Sequence, residues 1–172
     1  YTLLYNSMSG VVSLLRRHVR WETQSKTDVY PLVEDPSVRA ELIDEAVKRV
    51  DTDVDYVAGI ETTGFVFASF VAARLNKGFL PVRRKEKWPY EEHELLTASC
   101  NDYSDTEKTF AVRRDSVDDA SVLLVDDWIE TGAQCRCAQR LIRRCGGTVN
   151  EVFVLVDEAG EDDLVTSLAV LD

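Results

Sequence analysis

The stretch Ser121-Val122-Leu123-Leu124-Val125-Asp126-Asp127-Trp128-Ile129-Glu130-Thr131-Gly132-Ala133-Gln134 decides the reading of this 172-residue chain. Ser121 to Val125 has the almost continuous apolar character of a strand buried on both faces of a parallel sheet. It delivers two adjacent carboxylates, Asp126 and Asp127, at its carboxyl end, where open α/β sheets bind ligands. Residues 126 to 131 read as the turn after that strand, and a helix follows over about 132 to 145. A Thr-Gly turn opening a helix aims backbone N–H groups and a positive helix end at one point, which suits a phosphate. Paired carboxylates beside a phosphate suit ribose hydroxyls or a Mg²⁺ shell. The plainer alternative is an Asp-Asp turn that merely caps the helix.

Working outward, the same alternation recurs. Asp35 and Pro36 form a helix start, a capping acceptor followed by a first-turn proline, and Val38, Leu42, Ile43, Ala46 and Val47 continue at helical spacing. Tyr56 to Ile60 is a second short apolar strand, ending in Glu61-Thr62-Thr63-Gly64. A helix is expected over 65 to 75, closed by Gly78, and a strand over 79 to 82. Arg83 to Lys108 is polar and shows no sustained period, so it reads as a long loop, functional or carrying its own hairpin. Thr109 to Arg113 alternates like an edge strand. Gly146-Gly147 breaks the late helix before a last strand over 152 to 156. Strand, helix, strand, helix, strand is the pattern of a parallel sheet covered on both faces.

Composition narrows the classes. Asp and Glu number 31 against 20 Lys and Arg, a formal net charge of −11. Such a chain repels a phosphate backbone, so nucleic acid is not an expected partner, although local N–H groups still bind a small anionic substrate. No apolar run approaches the ~20 residues of a membrane span, and the first ten residues do not read as a signal peptide. A cytoplasmic protein with no membrane partner is expected. Cys100, Cys135, Cys137 and Cys145 lack zinc-site spacing and are read as reduced structural thiols.

The segment from Val122 to Gln134 resembles the signature of type I phosphoribosyltransferases: an apolar strand, two acids, two mostly apolar residues and a Thr-Gly phosphate loop. Ala58-Gly59-Ile60-Glu61-Thr62-Thr63-Gly64-Phe65 is similar to the pyrophosphate loop of adenine phosphoribosyltransferases. Pro81-Val82-Arg83-Arg84-Lys85-Glu86-Lys87-Trp88-Pro89 is similar to the basic strand end that follows it there. Leu95-Leu96-Thr97-Ala98-Ser99 and Tyr103 resemble the mobile loop, with features of xanthine phosphoribosyltransferases. The resemblance runs in order from about residue 30 to 158.

It implies a single α/β domain over 1–172, with a central parallel sheet flanked by helices, a small hood at about 1–28 and a mobile lid at about 91–108. It implies transfer of a phosphoribosyl group from phosphoribosyl pyrophosphate to a purine base, adenine or a 6-oxopurine, with Mg²⁺, in a homodimer. Asp126 and Asp127 would meet the ribose hydroxyls and, mostly through substrate and water, the Mg²⁺. Thr131, Gly132, Ala133 and Gln134 would cradle the 5′-phosphate. Glu61, Thr62, Thr63, Gly64, Arg83 and Lys87 would hold the pyrophosphate, with a cis Glu61–Thr62 peptide, and Tyr103 would act from the lid. Three positions depart from adenine enzymes: Thr63 stands where they place arginine, Gln134 where they place a hydroxyl, and Glu130 where they place a small residue. Hypoxanthine–guanine enzymes keep an acid at that last place for proton transfer at the purine imidazole ring, which assigns Glu130 a catalytic role. The alternative is a non-catalytic sensor of phosphoribosyl pyrophosphate or a nucleotide.

Overall fold

In a computed structural model, the described residues are 10–21, 27–101, 106–160 and 165–170. A seven-stranded sheet is assembled from β3 (Tyr56–Ile60), β4 (Gly78–Arg84), β5 (Leu95–Asn101), β6 (Glu107–Arg113), β7 (Ser121–Ile129), β8 (Thr148–Asp157) and β9 (Val165–Val170) in the order β5-β6-β4-β3-β7-β8-β9. The strands from β4 through β3, β7 and β8 to β9 are parallel, whereas β5 and β6 form an antiparallel hairpin on the β4 edge. A two-stranded ribbon, β1 (Arg20–Trp21) with β2 (Thr27–Asp28), stands apart.

Each face of the sheet has its own core, because side chains alternate along a strand. Leu123 and Val125 of β7 face a layer that includes Leu15 of α1 (Gly10–His18), Leu32 of α2 (Pro31–Glu34), Leu42 of α3 (Pro36–Arg49) and Phe67 of α4 (Thr63–Leu75). Val122 and Leu124 face the opposite layer, with Cys137, Leu141 and Ile142 of α5 (Ala133–Arg144) and Phe110 of β6. The expected cap is present: Asp35 accepts from Ser37 N at 2.7 Å and Val38 N at 3.2 Å, with Pro36 opening α3. These two helix layers hold the carboxyl ends of β3 and β7 side by side.

Several sequence expectations are corrected. The sheet is not wholly parallel, and β6 is an internal strand because β5 covers it. The segment from 83 to 108, read as a long loop that is functional or carries its own hairpin, does carry one, and most of its described residues are structured, as β4's end, two 3-10 turns (Lys85–Lys87 and Glu92–Glu94) and hairpin strands. Trp88 anchors it, donating Nε1–H to Ala111 O at 3.0 Å. The hairpin is too polar outside Leu95, Leu96, Phe110 and Val112 for periodicity to announce it. Helix α4 is closed by Asn76 in the left-handed region (φ 55°), not by Gly78, which begins β4. Strand β7 runs on through Ile129, so Asp126 and Asp127 lie within it. Strand β9 and helix α1 were not anticipated. Within the hood segment residues 1–9 and 22–26, and within the lid residues 102–105 including Tyr103, lie outside the described residues.

Candidate active site

The loop after β3 and the loop after β7 open onto one cavity of about 380 Å³, within the usual range for small-molecule sites. Two helices begin there, α4 at Thr63 and α5 at Ala133, and neither has a side-chain cap. The first N–H groups of a helix lack intrahelical acceptors, so two uncapped positive ends converge on the same space. At α5 the turn is made by Gly132, with φ 70°, a backbone state that disfavours a side chain. Arg136 holds this loop from behind: its N–H donates to Gly132 O at 2.9 Å and its Nη2 to Thr131 O at 2.8 Å. Ala133 N reaches Thr131 Oγ1 only at 3.4 Å, a weak bond that a better acceptor would displace.

Between the two helix ends lie the carboxylates. Asp126 is 8% exposed, and its Oδ1 accepts from Asp127 N at 3.1 Å. Burial pushes the Asp126 carboxyl well up, and the neighbouring Asp127 charge adds to it; burial also raises Asp127, against opposing hydrogen bonds. An adjacent, desolvated acid pair of oxygen ligands matches what a hard dication takes. Among the described residues no group of three His, Cys, Asp or Glu surrounds a common point. Mg²⁺ therefore fits here on two carboxylates with substrate and water completing its shell. Gly64 does not line the cavity. It lies beneath Asp126, where a Cβ would be 3.3 Å from Asp126 Cγ and nearer still to Oδ1.

Glu61 organises the opposite wall. Its Oε2 accepts from Arg84 N at 2.9 Å and its Oε1 from Lys87 Nζ at 2.9 Å, with Arg83 Nε 3.6 Å away. Burial pushes its carboxyl up, but the Lys87 bond, the Arg84 N–H and the Lys87 and Arg83 charges outweigh it, so it settles below its ordinary value. The Glu61–Thr62 peptide is cis, as the resemblance implied.

Of the expected residues, Glu61, Thr62, Thr63, Lys87, Asp126, Asp127, Glu130, Thr131, Gly132, Ala133 and Gln134 all line this cavity. Arg83 does not. On a strand, successive side chains leave opposite faces, and it is Arg84 that reaches the cavity. Arg84 Nε is buried and makes no hydrogen bond, although Glu86 Oε1 stands 3.4 Å away. Lys108, on β6, also lines the cavity; only its neighbourhood to the Tyr103 segment could have signalled it in the sequence. All four cysteines are free thiols, with Cys135, Cys137 and Cys145 buried. No described helix is long and apolar enough to cross a membrane.

Comparison with known proteins gives this geometry a family. A model of the phosphoribosyl transferase domain matches residues 35–168. The adenine phosphoribosyltransferase of Cupriavidus taiwanensis is 39% identical over 136 residues, 76% of this chain and 67% of that protein. That of Methylibium petroleiphilum is 36% identical over 156 residues, covering 84% and 76%. The crystal structure of adenine phosphoribosyltransferase from Rhodothermus marinus superposes with a TM-score of 0.82 at 25% identity, covering 94% of this chain and 99% of that one. The chain belongs to the phosphoribosyltransferase family and has the type I phosphoribosyltransferase fold.

Proposed function

We propose that this enzyme transfers the 5-phosphoribosyl group of phosphoribosyl pyrophosphate to adenine, giving the nucleoside 5′-monophosphate and pyrophosphate. The observation that carries the proposal is the convergence of two uncapped helix N-termini on a buried acid pair, within one cavity. A substrate with a phosphate at one end, a pyrophosphate at the other and sugar hydroxyls between matches that spacing of charge. The adenine enzymes among the relatives favour adenine over a 6-oxopurine.

In this reading Thr131, Gly132, Ala133 and Gln134 hold the 5′-phosphate at the start of α5. Thr62, Thr63, Arg84 and Lys87 receive the pyrophosphate, with Glu61 and Gly64 setting the positions of the basic wall and of Asp126. Arg83, placed off the cavity, supports Glu61 instead of touching substrate. Asp126 and Asp127 bind the ribose hydroxyls. Asp126 and Asp127 are the residues that would hold Mg²⁺, which would supply charge neutralisation for the leaving group. Breaking the C1–O bond develops an oxocarbenium-like sugar, and the cationic wall stabilises the departing charge. Glu130 takes the imidazole proton as the new bond forms at N9. The resemblance would give residues 91–108, with Tyr103, the part of a lid that keeps water from the sugar, and residues 1–28 the part of a hood at the base. The working assembly is a homodimer, a reading supported by the half-exposed Phe79 and Tyr90, which border one surface groove.

Pyrophosphate release with phosphoribosyl pyrophosphate, Mg²⁺ and a panel of adenine, hypoxanthine, guanine, xanthine and orotate tests the proposal. Adenine should be turned over fastest. Preference for a 6-oxopurine would reassign the base, and substrate binding with no release for any base would favour a sensor.

A further inference from the structure

Helix α5, which opens at the phosphate turn, is tied along its length to strand β5 of the hairpin. Arg144 Nη1 donates to Thr97 O at 2.7 Å, Arg140 Nη2 to Ser99 O at 3.3 Å, and the Cys137 thiol to Ala98 O at 3.4 Å. Side chains alternate along a strand, so Ala98 and Cys100 share one face. Both pack against the core layer that contains Cys137. The Cys100 and Cys137 thiols interact there. Cys137 is buried, whereas Cys100 is partly open to solvent. Burial pushes the Cys137 thiol up to about 12, the Cys100 thiol adds to the rise, and the Arg140 guanidinium opposes it. Directly across the hairpin from Cys100 stands Lys108, which lines the transfer cavity.

We propose that Cys100 and Cys137 form a reversible dithiol–disulfide site, oxidised by exchange with a low-molecular-weight disulfide, and that the cross-link weakens binding of phosphoribosyl pyrophosphate. Cys100 is the point of entry because it is the accessible thiol. Its thiolate attacks one sulfur of the small disulfide, forming a mixed disulfide and releasing one small thiolate. The Cys137 thiolate then attacks the Cys100 sulfur, closing the internal bond and releasing the second. The protein gives up two electrons and two protons, and the small disulfide leaves as two thiols. Once Cys100 is capped, its charge no longer opposes a Cys137 thiolate, while Arg140 still favours one. Cys135 is a poor competitor, because burial and the charges of Asp126, Asp127 and Asp157 keep its thiol protonated.

A disulfide sets its sulfurs about 2.0 Å apart, closer than two unbonded thiols can pack. In a close-packed layer that contraction has to move the first turns of α5 or the strand that carries Lys108. Both belong to the cavity that receives phosphoribosyl pyrophosphate in the reading above. The effect on binding therefore rests on that reading, whereas the cross-link does not. A displacement of about 1 Å at such a site costs up to ~10²-fold.

The reduced full chain is equilibrated with glutathione disulfide, its remaining thiols are alkylated, and its peptides are identified by mass spectrometry. Cys100 and Cys137 should be found joined, with Cys135 and Cys145 alkylated, and dithiothreitol should reverse the bond. Cys137→Ala should stop at a mixed disulfide of Cys100 with glutathione, and Cys100→Ser should form neither species. Calorimetry with phosphoribosyl pyrophosphate and Mg²⁺ should show binding weakened about tenfold in the oxidised chain, restored on reduction and insensitive to redox state in Cys100→Ser. Full alkylation of Cys100 and Cys137 after oxidation, a mixed disulfide that persists in the parent, or a bond to Cys135 or Cys145 instead would overturn the site. A cross-linked chain that binds as tightly as the reduced one would overturn its control of binding. A reduced chain that forms the bond but never binds phosphoribosyl pyrophosphate would count against the transfer reading and leave the thiol site standing.

Discussion

Gly64, the second residue of α4, packs against the carboxylate of Asp126 in β7, so closely that a Cβ at position 64 would fall 3.3 Å from Asp126 Cγ and from Val125 O. The pyrophosphate-side helix and the acid pair are thus one packed unit. Gly64→Ala should displace the Asp126 carboxylate, since the backbone of β7 cannot give way between β3 and β8. Turnover should fall at least tenfold, about 1.4 kcal/mol of transition-state stabilisation, while circular dichroism shows an intact fold. Unchanged kinetics would mean that Asp126 does not need its observed position.

The two loops that meet at that contact were legible in the sequence to very different degrees. Val122 to Val125 announces its strand because both faces are buried and every residue is apolar, and the Asp-Asp and Thr-Gly steps follow at fixed offsets. Helix α3 was legible from Asp35 and Pro36, whose capping chemistry is local. The β5–β6 hairpin was legible only in part: Thr109 to Arg113 read as a strand and a hairpin stood as one alternative, but β5 is half-exposed, and pairing leaves no trace in a single run. Arg84 was missed in favour of Arg83 for a related reason: in Arg83-Arg84-Lys85 only strand register decides which cation faces substrate.

The acid pair predicts a conflict between stability and activity. Burial and mutual repulsion raise the folded-state value of Asp126 above its ordinary 3.8. A raised value means protonation favours the fold: that contribution is fully present below 3.8 and is lost as pH rises through the folded value. Asp126→Asn should therefore melt higher than the parent in the unliganded state, with a gap that widens as pH rises towards neutrality. In a chain of this size each kcal/mol corresponds to about 2–4 °C. The same variant, and Asp127→Asn, should lose at least tenfold in turnover. Equal melting temperatures at all pH values would show that the pair is not strained by its own charge.

Glu61 acts on substrate through the cations it holds. Glu61→Gln keeps a side-chain acceptor for Arg84 N but gives up the charge that fixes Lys87 and Arg83. The expected result is a higher KM for phosphoribosyl pyrophosphate with a smaller change in kcat, because the basic wall loosens before chemistry begins. The folded Glu61 carboxyl lies below its ordinary 4.5, so its contribution is present above that pH and is lost as pH falls through the folded value. Acid unfolding of the parent should accordingly be steeper than that of the glutamine variant. A fall in kcat with unchanged KM would make Glu61 a participant in the chemical step instead.

Glu130 separates the readings of the site most sharply, because an exposed carboxylate lines the cavity next to the loop proposed to receive an anion. Either it moves a proton, or its charge simply opposes the phosphate. The purine must lose its imidazole proton as the bond forms at N9, and a well-placed base is typically worth ~10²–10⁴-fold in rate. Glu130→Gln preserves size and hydrogen-bonding shape but cannot take that proton. As a base, Glu130 predicts a drop in turnover of that order, little change in the KM for phosphoribosyl pyrophosphate, and loss of one limb of the pH–rate profile. As a repelling charge it predicts tighter phosphoribosyl pyrophosphate binding and unchanged turnover, most visibly at low salt where screening is weak. Running the variant against adenine and hypoxanthine in parallel extends the test to the base. A deficit confined to hypoxanthine would assign the carboxylate to 6-oxopurine chemistry, whereas equal deficits would make it a general device for removing the imidazole proton.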